Sequence, residues 1–358
     1  MRTSSRLALL LPCALALACT PDDGDSGGDS EAGDTTSTTG EDASSSTTGD
    51  VGTSAGASGS DGGTTSADTD ETGSTGEPLP PGTCPDALDP ALELTPGSHD
   101  MTLEYNGEQR SFTVEVPSGY LPGVPAPLML NLHGFGSNAW QQALFSQMNY
   151  VADQRDYIVV YPGGLDMSWN GGACCGDAAD TDRDDVGFLS AVVDALAPQL
   201  CYDPARVYAT GMSNGGFMSH RLACDAADRF AAIAPVAGAI GIEDCAPSRP
   251  VPVYIVHGAV DELVPADLAL TAFEFWAANN GCEGEPTRAE LGGGTYCDLF
   301  EGERCTDGAA VQLCMLAQLG HCWPGGSAEL CEVLGDAYED TVDANVTMMD
   351  FFDQHRLP

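Results

Sequence analysis

The 358-residue chain contains no lysine, only 12 arginines and only six histidines, against 54 acidic residues. A formal net charge of −42 argues against nucleic acid or anionic lipid headgroups as partners, since both are held by basic patches. Long apolar runs are missing too. The longest, Leu7–Leu17, is too short to span a bilayer, which takes about 20 residues. Paired Cys-x-x-Cys spacing is absent, so the 14 cysteines give no zinc-site pattern.

What is present divides by composition near residue 82. Residues 1–18 have the order of a secretory signal: Arg2 and Arg6, then Leu7–Leu17, then a small-residue exit at Ala16-Leu17-Ala18. Cys19 follows at once, so Ala-Leu-Ala-Cys resembles a bacterial lipobox, with Cys19 as the lipidation candidate. Residues 19–82 are almost entirely Gly, Ser, Thr, Ala, Asp and Glu. Such a stretch cannot bury enough apolar surface to offset its ordering entropy, and reads as a disordered acidic linker. An exported enzyme, secreted or held at the cell surface by that anchor, is expected. The membrane enters only through the lipid.

Residues 83–358 suffice for one large domain with a substantial core. They carry 40 acidic residues against 10 arginines, a net charge of −30, best read as a soluble surface. Twelve cysteines fall here, an even number in an exported chain, so disulfides are expected. Cys224 with Cys245, Cys282 with Cys305, and Cys322 with Cys331 are plausible neighbours. Cys174 and Cys175 are expected to pair with two different partners, because bonding adjacent cysteines strains the backbone.

Met101–Tyr105 and Arg110–Val116 alternate around Asn106-Gly107, a hairpin signal. Pro127–Leu132, Tyr157–Tyr161, Phe230–Val236, Val251–Val256 and Ala310–Leu316 read as buried strands. Val186–Leu200, Leu268–Asn279 and Val342–Phe352 read as helices, the first capped by Asp184 or Asp185. Strands alternating with helices predict an α/β fold, with a mostly parallel sheet, helices on both faces and an N-terminal antiparallel hairpin.

Within that pattern, Gly211-Met-Ser-Asn-Gly215 follows the short apolar run of residues 206–210 and precedes a helical segment. Strand, sharp Gly-x-Ser-x-Gly turn and helix is the order of an α/β-hydrolase nucleophile elbow, with Ser213 at its apex. A serine hydroxyl needs a positioned base, and the base needs an orienting acid, both later in the chain in this fold. Only His321 and His355 lie far enough downstream, and His321 sits in a turn-rich loop straight after a strand. Asp261 is the first acid after the strand ending at Gly258, with Glu262 as the second choice. Two backbone N–H groups must cradle the oxyanion. Those of Asn214 and Phe135, the latter in His133-Gly134-Phe135-Gly136, are the candidates, with His133 and His257 as shapers of loops.

Six segments then appear in order: Leu132–Gly136, Trp169–Gly176, Asp184–Phe188, Gly211–Gly216, His257–Asp261 and Gly320–Gly326. From about residue 98 onward the chain resembles secreted α/β-hydrolases of the polyhydroxybutyrate depolymerase, feruloyl esterase and acetylxylan esterase group. The resemblance implies the triad Ser213, Asp261 and His321, an acyl-enzyme intermediate, no cofactor and an ester substrate. It departs from the group at Cys322 and in the cysteine-rich Cys297–Cys331 region.

Trp169 and Trp323, with Phe135, are candidates for an apolar cleft wall, and packing of loops is the alternative for both tryptophans. Asp177, Asp180, Asp182, Asp184 and Asp185 invite a calcium loop, but Asp185 and Ala191 stand where an EF-hand needs glycine and glutamate. No metal is expected. The reading is a monomeric serine esterase, against a prolyl-oligopeptidase-type serine peptidase or a non-catalytic tethered binding protein.

Overall fold

A computed structural model describes residues 82–358. The expected signal at 1–18, the lipidation candidate Cys19 and the 19–82 linker through residue 81 lie outside the described residues.

The chain enters as β1 (Gly97–Tyr105) and β2 (Glu108–Val116), followed by β3 (Ala126–Leu132), α1 (Ala139–Ser146), α2 (Met148–Gln154) and β4 (Ile158–Pro162). Next come α3 (Gly176–Asp180), α4 (Asp185–Leu196), β5 (Tyr202–Met212), α5 (Asn214–Asp225), β6 (Ala232–Val236), β7 (Val253–Gly258) and α6 (Ala266–Asn279). The hairpin β8 (Thr287–Gly292) and β9 (Thr295–Phe300) precedes β10 (Val311–Leu316), α7 (Ala328–Leu334) and α8 (Ala344–Phe352).

All ten strands form one sheet in the order β1-β2-β4-β3-β5-β6-β7-β10-β9-β8. The six from β4 to β10 run parallel, and an antiparallel hairpin closes each edge. This is the expected α/β-hydrolase fold with its N-terminal hairpin. Asn106 and Gly107 take φ of 51° and 83°, the pair of positive values that a tight hairpin turn demands.

Side chains alternate across the strands and build two cores. Leu128, Leu130 and Leu132 of β3 face one core with Phe188 and Val192 of α4, Leu222 of α5 and Trp276 of α6. Met129 faces the other, with Met148 of α2, Trp323, and Met348 and Phe352 of α8. Each such side chain contributes roughly 1.5–3 kcal/mol through burial, so both helical layers are fixed by the sheet. Asp184 caps α4 by accepting from Gly187 N–H, while Asp185 enters the interior and meets Arg110 of β2 at 2.8 Å. The two adjacent acids divide the capping and pairing roles.

Candidate active site

β5 ends at Met212, and the chain turns at Ser213 before α5 begins. Ser213 takes φ 55° and ψ −122°, a region that a residue with a Cβ enters only when its surroundings enforce it. Close packing against β3 enforces it here. A methyl group at Gly215 would sit 2.2 Å from the Leu132 carbonyl oxygen, and one at Gly211 2.6 Å from the Gly215 oxygen. Only glycine fits either position. Ser213 N–H donates to Val236 O at 3.0 Å, which anchors the turn to β6. The serine itself stays half-buried.

Two backbone segments flank Ser213. Asn214 is the first residue of α5, so its N–H has no acceptor inside the helix. On the other side, a methyl at Gly134 would lie 3.4 Å from Ser213 Cβ, which places the loop after β3 directly beside the serine. His133 shapes that loop. Its Nδ1–H donates to Gly134 O at 2.8 Å, and its Nε2 accepts from Gly164 N–H at 2.9 Å. Burial lowers its pKa to about 4, so the ring is neutral and able to accept. Phe135 follows, 43% exposed, its ring over Gly176.

Asp261 and His321 meet across neighbouring strands. His321 Nδ1–H donates to Asp261 Oδ2 at 2.7 Å. Asp261 Oδ1 accepts from Leu263 and Val264 N–H, both at 2.9 Å. Burial pushes the Asp261 carboxyl up, but the His321 hydrogen bond and charge, the Val264 N–H and nearby His257 together hold it below the usual range. The acid loop after β7 and the base loop after β10 touch, since a methyl at Gly258 would lie 2.2 Å from Leu319 O. Glu262, the second choice for the acid, points outward and is exposed. His355 lies beyond α8 with its ring against Phe351, apart from this cluster.

Two expectations need correction. Trp169 and Trp323 are 0% and 1% exposed and present no wall to a cleft. Their indole N–H groups are satisfied inside, Trp169 by His133 O at 3.0 Å and Trp323 by Asn345 Oδ1 at 2.8 Å. Both pack loops. Second, Cys174 and Cys175 bond to each other, not to separate partners. The peptide between them is cis, and their Cα atoms lie 3.1 Å apart. The other disulfides include the three anticipated pairs, with Cys84–Cys201 and Cys297–Cys314 besides.

Of the aspartates read as a calcium loop, Asp182 accepts from Asn170 Nδ2, Asp184 from Tyr105 O–H and Asp185 from Arg110 and Asn170 N–H. Protein donors thus reach three of the five acids. Sequence reasoning missed the Asn214 side chain, which accepts from Trp169 N–H at 2.7 Å and donates to Trp169 O at 2.9 Å. It also missed Asp336, which accepts the His321 N–H at 3.1 Å. The fixed spacing of His257 and Asp261 was the one visible sign of another contact. His257 Nε2–H donates to Val264 O at 2.8 Å and lies 3.6 Å from Asp261 Oδ2.

Residues 143–246 match the prolyl oligopeptidase family. Feruloyl esterase B of Piromyces equi is 33% identical over 236 residues, 59% of this chain and 42% of that protein, so the chain spans less than half of that relative. Feruloyl esterase C of Emericella nidulans is 32% identical over 203 residues, covering 54% of this chain and 71% of its own. The solved acetyl xylan esterase from Aspergillus awamori superposes with a TM-score of 0.50 at 14% identity, covering 67% of this chain and 99% of that one. That likeness is one of fold.

Proposed function

We propose that this chain, which belongs to the feruloyl esterase family of α/β-hydrolases, hydrolyses carboxylic esters through a serine-bound acyl intermediate. The observation that carries the reading is the 2.7 Å Asp261–His321 hydrogen bond, supplied by loops that follow β7 and β10 of the sheet whose β5 ends at Met212, just before Ser213. Ser213 Oγ attacks the ester carbonyl. His321 Nε2 takes its proton and later delivers it to the leaving alcohol, while Asp261 fixes the ring with its proton on Nδ1. The N–H groups of Phe135 and Asn214 stabilise the oxyanion, and water then releases the acid. None of these steps uses a cofactor. Feruloyl and acetyl esters of polysaccharides are the substrates suggested by the relatives. The disulfides support an exported enzyme, with Cys19 as a surface anchor.

Replacing Ser213 by alanine is expected to abolish hydrolysis of p-nitrophenyl esters and labelling by a fluorophosphonate, with the melting temperature unchanged. Labelling of the variant at another residue would remove Ser213 as nucleophile. A serine peptidase is the second reading, favoured by the prolyl oligopeptidase match at residues 143–246. Turnover of a peptide amide faster than methyl ferulate or acetylated xylan would select it. Mass spectrometry of the mature N-terminus tests the anchor.

A further inference from the structure

Beside the candidate active site runs a groove of about 490 Å3, within the usual range of ligand sites, roughly 300–1,000 Å3. Neither Ser213, Asp261 nor His321 lines it. One wall is the polar face of the β1–β2 hairpin. Because β2 turns Phe112 and Val114 inward, Ser111 and Thr113 stand on the opposite face. Thr102 pairs with Ser111 and Asp100 with Thr113, so the four make two cross-strand rungs of hydroxyls and one carboxylate. The facing wall carries Trp140, the first full turn of α1, 63% exposed, and Leu165.

The groove is tied to the chemistry through its end. Gly163 N–H donates to Ser111 O at 2.8 Å, and Gly164 N–H donates to His133 Nε2 at 2.9 Å. His133 in turn holds the Gly134 carbonyl beside Ser213. One hydrogen-bonded step therefore separates the groove from the loop that flanks the nucleophile.

We propose that this groove binds a neutral sugar chain, the part of the substrate that carries the ester. The proposal rests on the ester-hydrolase reading. An exposed indole packs on the apolar face of a pyranose ring while leaving the ring's hydroxyls at its edge. Threonine and serine hydroxyls both donate and accept, as sugar hydroxyls do, and a carboxylate accepts from them. Asp100 Oδ1 already accepts from the Thr113 hydroxyl at 2.8 Å. A polyester, which offers acceptors alone, would bring no donor to its other oxygen, whereas a sugar hydroxyl would. A polyuronate would bring its own carboxylates toward Asp100 on a chain of net charge −42.

The test uses the full chain and xylohexaose as probe, followed by tryptophan fluorescence and amide NMR, with hexagalacturonate as the anionic control. Xylohexaose is expected to bind and to shift amides of Thr102, Ser111 and Gly163, and hexagalacturonate is expected not to bind. Trp140→Ala should weaken xylohexaose binding at least tenfold. It should also raise KM on acetylated xylan by a similar factor, with kcat kept and p-nitrophenyl acetate turnover unchanged. Ser111→Ala, on the other wall, should weaken binding independently. Equal binding of both oligosaccharides, or xylohexaose binding indifferent to both substitutions, overturns the proposal. If the wild-type chain fails to cleave any ester, the hydrolase reading falls, and the xylohexaose titration still decides the groove.

Discussion

At Asp261 two oxygens take three hydrogen bonds, and each has a separate consequence. Oδ1 is held by the Leu263 and Val264 N–H groups, so the carboxylate cannot rotate away from His321, which Oδ2 then meets at 2.7 Å. The same bonds keep the carboxyl below its ordinary range although burial pushes it up. Asp261→Asn preserves shape and the two backbone bonds. Its amide, however, can present a donor where His321 Nδ1–H needs an acceptor, which favours the wrong tautomer. The expected result is a fall in kcat of roughly 10^4-fold on p-nitrophenyl acetate, with KM nearly constant, as for the equivalent change in serine hydrolases. Glu262→Gln, at the exposed neighbour, should leave kcat within about twofold. A large effect at Glu262 would move the acid by one residue. His257 belongs to the same unit, since it holds the Val264 carbonyl whose own amide holds Asp261.

At the level of elements, the base loop between β10 and α7 is pinned at both ends. Asp336 accepts the His321 N–H, and Cys322–Cys331 links the residue after His321 to α7. The bridge closes a loop of sequence separation 9, for which chain entropy gives about 2.5 kcal/mol of stability. Both cysteines are fully buried, so removing the pair also leaves a small void. Cys322→Ala with Cys331→Ala is expected to lower the urea midpoint and to cut kcat at least tenfold, more than KM rises, because His321 loses its register first. An unchanged kcat would assign the bridge to stability alone. The elbow in this picture was legible because steric law leaves Gly-x-Ser-x-Gly few alternatives between a strand and a helix. The buried strands were legible for a similar reason, as unbroken apolar runs. β8 was not, since Thr287–Gly292 is exposed at every position and is held only by its pairing with β9, through the backbone and through Arg288, which meets Asp298 and lies over the Tyr296 ring. Nor could composition decide which way Trp169 and Trp323 face, because that depends on distant acceptors, His133 O and Asn345. Nor does any residue pattern announce the Cys174–Cys175 bond.

For the molecule as a whole, two electrostatic effects oppose each other as the solution is acidified. His133 and His220 are fully buried, and burial lowers their pKa values to about 4 and about 3, while His257 is lowered as well. In the unfolded chain each would take a proton near 6.5. Between those limits the unfolded state binds more protons than the folded one, so stability falls as pH drops from about 6.5 toward 4 and is fully present above 6.5. The loss is on the order of 1 kcal/mol per group per pH unit. Against this, protonation of surface carboxylates relieves the self-repulsion of a chain of net charge −42, which stabilises the compact state. Salt separates the two. Screening removes repulsion between exposed charges beyond the Debye length, about 3 Å at 1 M, but leaves the desolvation of a buried imidazole nearly untouched. In 1 M NaCl the urea midpoint should therefore decline steadily between pH 6.5 and 4.5. At 10 mM salt the decline should be shallower, because relief of repulsion offsets part of it. His220→Gln should flatten the high-salt slope, since the group that would titrate on unfolding is gone. A high-salt midpoint that rises on acidification would mean that surface repulsion, not the buried histidines, governs this protein's response to acid.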